Sequence, residues 1–141
     1  MFIFASNHYK DMRSTLNFIK KFPISTLTVA AIWYVCFMNV PETPLQNISL
    51  IDKWTHVALY FVLGIIITFE YIRAYKNTRL KDLALWVWLL PSLMGGLIEI
   101  LQANCTGGMR SGEWMDFLAD AVGATVALII GILLVKYRAK S

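Results

Sequence analysis

Four long apolar runs, parted by short polar segments, organise the chain: residues 24–40, 54–72, 83–102 and 117–135. Each is 17 to 20 residues long. At ~1.5 Å of rise per residue, an α-helix of that length crosses a ~30 Å hydrocarbon core with little tilt. Barrel strands are excluded, because they alternate apolar with polar positions and run to ~10 residues. The punctuation agrees. Pro41 and Pro44 close the first run, since proline has no amide to continue a helix. Asn77 and Thr78, set among charges, part the second run from the third, and Thr106, Gly107 and Gly108 part the third from the fourth. The pattern predicts an all-α integral membrane bundle of four transmembrane helices forming one domain, 1–141. Ahead of Pro23, residues 18–22 predict a short amphipathic turn at the interface. Residues 1–9 read as a loosely held terminus.

Charge then orients the bundle. Lys10, Arg13, Lys20 and Lys21 precede the first run, Arg73, Lys76, Arg79 and Lys81 lie between the second and third, and Lys136, Arg138 and Lys140 follow the fourth. With four spans, eleven of the 13 basic residues fall on one side, leaving Lys53 and Arg110 on the other. The positive-inside rule therefore predicts both termini in the cytoplasm. No short apolar core with a small-residue cleavage site follows the basic start, so the first run reads as an uncleaved span. Hydrophobic residues make up 57% of the chain and charged residues 16%, which excludes a disordered tail and a nucleic-acid-binding surface. The net charge of +4 then reports loop orientation. Cys36 and Cys105 have neither a disulfide framework nor metal-site spacing.

The remaining polar residues gather at the predicted external helix ends. The second span begins Asp52, Lys53, Trp54, Thr55, His56; the third ends Glu99, Ile100, Leu101, Gln102; the fourth begins Asp116, Phe117, Leu118, Ala119, Asp120. Asp52 with His56, and Asp116 with Asp120, are four apart and share a helix face; Glu99 and Gln102 are three apart. Glu99 and Asp120 lie about one turn inside the apolar limits, where an unpaired charge costs several kcal/mol. These groups therefore predict one polar pocket built from three helix ends and the loop carrying Arg110 and Glu113. Gly123, Ala127 and Gly131 form a small-residue face on the fourth span, Gly95 shares the face of Glu99, and Pro91 predicts a bend with a freed carbonyl. Plainer roles stand beside these: Asp52 and Asp116 as helix-end charges, Glu113 and Glu42 as solvated loop charges, Glu70 with Arg73 as a structural pair, His8 as a surface residue. Trp33, Trp54, Trp86, Trp88 and Trp114 fit interfacial belts. His56, Glu99, Gln102, Arg110 and Asp120 either form a binding site or only fix packing.

The order Asp52-Lys53-x-x-His56, Gly64, Glu99-x-x-Gln102, then Arg110 with Asp116, Asp120 and Gly123, resembles the VanZ-like family over about residues 50 to 135. That family shows a D-K-x-x-H start, a D/E-x-x-Q helix end and an R-x(4–5)-D-x-x-x-N-x-x-G run. Three departures stand out: Asp120 replaces the usual Asn, Gly108-Met109-Arg110 the frequent Pro-Gly-Arg, and Leu101 the His often found before the Gln. The resemblance implies a multi-pass protein of the bacterial cell (inner) membrane, whose namesake is linked to low-level teicoplanin resistance. It names no reaction.

Three functions follow as expectations. The first is binding of an anionic lipid head group or lipid-linked cell-wall intermediate through Asp52, Lys53, His56, Glu99, Gln102, Arg110, Asp116 and Asp120, with Lys53 and Arg110 holding phosphate. The second is a small membrane enzyme acting on a phosphorylated lipid, with His56, Glu99 and Asp120 as candidate catalytic groups. The third is a non-catalytic accessory subunit. Membrane lipids are the expected partners, with no nucleic acid. Carboxylates with one imidazole (His56, Glu99, Asp116, Asp120) suit Mn or Zn, but the expectation is no metal and no cofactor.

Overall fold

A computed structural model describes residues 15–38, 51–107 and 112–140. Residues 1–9 with His8, the end of the first apolar run, Pro41, Glu42, Pro44, Gly108 and Arg110 lie outside the described residues. Within them the chain is all-helical: α1 (Pro23–Phe37), α2 (Ile51–Ala74), α3 (Leu80–Cys105) and α4 (Trp114–Arg138), with a further helical stretch at 15–21. Three of these, α2, α3 and α4, are long and apolar enough to cross a membrane. Each extends beyond the apolar run that predicts it. In α2 and α4 the charged residues at the ends, Asp52, Arg73, Asp116, Lys136 and Arg138, match the sign of the helix dipole at either terminus. The first run gives a shorter helix than the sequence predicts. It has 15 residues, about 22 Å, and Met38 already turns to extended backbone.

The surface is inverted relative to a water-soluble protein. Leu27, Phe69, Leu93, Ile100 and Leu133 face outward, while Glu70, Glu99, Gln102, Asp116 and Asp120 are buried. Apolar side chains on the outside and polar ones within suit a hydrocarbon surround.

The closest packing joins α2 to α4. A side chain at Gly123 would strike the Val57 carbonyl and Phe61 amide of α2; one at Gly64 would strike Ala127; one at Gly131 would meet Thr68. The predicted small-residue face is thus the seam on which two backbones meet. Against this pair lies α3, whose residues Ala84–Leu89 form a π-helical turn just ahead of Pro91. Proline removes the amide that would bond to Val87 and its ring crowds that carbonyl, and a widened turn relieves both. Gly64 packs beside this same carbonyl.

Two polar clasps hold α1. Glu70 of α2 accepts from Ile24 N (2.9 Å), Ser25 N (2.9 Å) and Ser25 Oγ (2.6 Å), so it caps the N-terminus of α1. Its pairing with Arg73 is real but longer, at 3.7 Å. At the other end, Gln102 Nε2 of α3 donates to the Cys36 carbonyl at 2.8 Å. Ahead of α1, Phe18 and Phe22 stack on Trp86, and Lys21 lies over the Tyr75 ring. Trp86 is therefore part of this packing, while Trp54 and Trp114 project outward, as a belt residue does.

The seam yields the first expectation. Because backbone blocks the space, Gly123→Val should lower the stability of the detergent-solubilised protein by about 1–3 kcal/mol. Gly96→Ala, whose methyl would meet only the Phe117 ring at 3.3 Å, should cost less. Paired thermal melts of the two variants decide this, and equal losses would mean that the seam is not tight.

Candidate functional site

At one end of the bundle the first turns of α2 and α4 meet the last turns of α3. From α2, Lys53, His56 and Tyr60 point inward. They are spaced so that His56 and Tyr60 fall one turn apart on one face. From α3 comes Glu99, and from α4 and the residue before it come Glu113, Asp116 and Asp120.

His56 Nδ1 lies 2.9 Å from Asp120 Oδ1, pairing α2 with α4. Asp120 is only 1% exposed, so among the described residues it depends on this bond, with the Tyr60 hydroxyl lying beside it over Gly95. Gly95 makes room for both, because a side chain there would collide with Asp120 Oδ2 and crowd the Tyr60 hydroxyl. Lys53 Nζ forms ion pairs with Glu113 Oε2 and, at 2.7 Å, with Asp116 Oδ1. Asp116 Oδ1 is held by this ion pair. Glu113 also closes the site from its backbone, its amide donating to Glu99 Oε2 at 2.9 Å. Glu99 is 6% exposed, yet among the described residues its other oxygen, Oε1, has no hydrogen-bond partner.

Most of the predicted pocket is therefore brought together. Lys53, His56, Glu99, Asp116 and Asp120 lie in one connected cluster, with Asp52 exposed at its rim. Gln102 instead serves α1, as its bond to Cys36 shows. Arg110 lies outside the described residues. Sequence reasoning passed over Tyr60 and the linking role of Glu113. Tyr60 had a signal, since it continues the Asp52, His56 spacing by four; the bond from Glu113 to Glu99 had none, because the donor is a backbone amide.

Two triads in the cluster have ligand-type atoms within 4.8 Å of one another: Asp52, His56 and Asp116, and His56, Glu99 and Asp120. Beside Glu99 an apolar cleft of about 590 Å³ opens between α3 and α4, walled by Leu93, Leu97, Ile100, Trp114 and Phe117. Comparison with models of known protein families, with curated proteins and with solved structures gives no match.

The His56–Asp120 pair gives the second expectation. A double-mutant cycle of His56→Ala and Asp120→Ala, read by thermal or denaturant unfolding, should show a coupling of about 0.5–3 kcal/mol. Additive losses would mean that the two side chains do not sense each other.

Proposed function

We propose that this chain is a VanZ-like protein of the bacterial cell membrane, with four spans and both termini cytoplasmic, that binds the head group of an anionic lipid or lipid-linked cell-wall intermediate at the outer leaflet. The observation carrying this reading is the junction of a buried polar cluster with an apolar cleft. Glu99 belongs to both, and an amphiphile needs both surfaces at once. The ion pairs of Lys53 leave Arg110 as the residue assigned to the phosphate, its planar fork suiting two oxygens. In this reading α1 is the fourth crossing, supported at its ends by Glu70 and Gln102, which offsets its short length. A contribution to teicoplanin resistance follows from the family likeness and from an outward-facing site.

A second reading has a specific observation in its favour. A carboxylate on Nδ1 sets the tautomer of His56 and directs its Nε2 to proton transfer, the arrangement a general acid or base needs. Under it, the same site acts on a phosphorylated lipid. His56→Gln would then abolish turnover of that lipid while leaving its binding within about twofold.

Lipid retained by the purified protein tests the main reading. Mass spectrometry should show a severalfold lower content of anionic lipid in Arg110→Ala, and in Leu97→Trp, which fills the cleft, at unchanged melting temperature. Equal lipid in wild type, Lys53→Ala and Arg110→Ala would remove the reading. Topology has its own check. In a background with Cys36 and Cys105 replaced by serine, a cysteine at position 77 should react with a membrane-impermeant maleimide only after cell lysis, and one at position 107 in intact cells. Labelling of both from the same side would overturn the four-span arrangement.

A further inference from the structure

The described cluster is rich in acid: Asp52, Glu99, Glu113, Asp116 and Asp120 face one ammonium, Lys53, and one imidazole, His56. Lys53 is taken up by Glu113 and Asp116. Among the described residues, that leaves Glu99 and Asp120 around His56 without a full positive charge opposite them. One oxygen of Glu99 is satisfied by the Glu113 amide, which fixes the carboxylate, while Oε1 is buried and has no hydrogen-bond partner among the described residues. Leaving a buried carboxylate oxygen unmet is costly, and the charge next to it makes it more so.

We propose that His56, Glu99 and Asp120 form a site for one divalent transition-metal ion, Zn²⁺ or Mn²⁺. Their ligand atoms already lie within 4.8 Å of one another. Donors on a common ion sit roughly 3–3.5 Å apart for bonds of about 2.0–2.2 Å, so side-chain rotation closes the remaining gap. Two carboxylates neutralise the ion, and the imidazole favours a transition metal over Mg²⁺ or Ca²⁺, which prefer oxygen alone. The ion takes the place of the proton between His56 Nδ1 and Asp120 Oδ1, and the ring proton of the neutral imidazole moves to Nε2. A supporting contact is present for Glu99, which accepts from the Glu113 amide, and the Tyr60 hydroxyl lies beside Asp120. The outer triad, Asp52, His56 and Asp116, is the poorer choice, because an ion there would sit against the Lys53 ammonium, 2.7 Å from Asp116 Oδ1. This site stands independently of lipid binding.

The test uses the full chain, purified in detergent through a tag without histidine, stripped with a chelator and reloaded with Zn²⁺ or Mn²⁺. Mass spectrometry of metals should find about one ion per chain in wild type and in Asp116→Asn. Glu99→Gln and Asp120→Asn, which keep side-chain shape, should bind at least about tenfold more weakly. The ion should also raise the melting temperature of wild type and not that of Glu99→Gln, a readout that separates lost ligation from lost folding. Wild type that holds no ion after reloading would overturn the proposal on its own. So would Glu99→Gln binding as tightly as wild type, or binding lost in Asp116→Asn and kept in Glu99→Gln, which would move the ion to the outer triad.

Discussion

The approach of α2 to α4 through residues without bulk is the constraint on which the rest of this molecule depends. Gly123 rests on the Val57 carbonyl and Phe61 amide, and Gly64 rests on Ala127. With two backbones in contact, the side chains one turn further along have nowhere to go but towards each other. His56 precedes Val57 by one residue, and Asp120 precedes Gly123 by three, so the seam sets them face to face at 2.9 Å. In an apolar surround such an arrangement has weight, since small residues and interhelical hydrogen bonds carry much of the association that hydrophobic burial drives in water.

Polar groups elsewhere follow the same logic of mutual satisfaction. Glu70 meets three donors at the start of α1, and Gln102 meets a carbonyl near its end. Lys53 bridges two carboxylates. Each of these is a buried or half-buried group whose alternative is an unsatisfied charge or dipole. Glu99 differs from Asp116, whose unbonded oxygen faces the Lys53 ammonium: among the described residues its Oε1 has neither a hydrogen bond nor an ion pair.

Much of this was legible in the chain, for physical reasons that differ by residue. Continuous apolar runs can only be helices, so the long ones were readable to within a few residues, with the ends of α2 and α4 extended by charges that suit the dipole. The small-residue face of α4 was readable because periodicity alone reports it. The cluster of Lys53, His56, Glu99, Asp116 and Asp120 was readable because ionisable groups inside apolar limits must converge. Gln102 was not, since its spacing from Glu99 suggests a shared site while the partner it finds, the Cys36 carbonyl, is a backbone atom 66 residues away. Glu70 was half read: its neighbour Arg73 is visible at i+3, but the free amides of α1 that claim it are not. Backbone donors and acceptors carry no sequence signature, and both errors have that origin.

The widened turn at Ala84–Leu89 has a consequence for how this chain tolerates insertion and loss. An α-helix advances by about 100° per residue, so the extra residue accommodated there sets the angular phase of everything after it on α3. Glu99 and Gln102 reach opposite neighbours, one the α4 terminus and the other α1, only at that phase. Shortening the stretch by a single residue would keep the helix and its hydropathy intact while swinging both side chains a quarter-turn or more, uncoupling α3 from its two partners in one step.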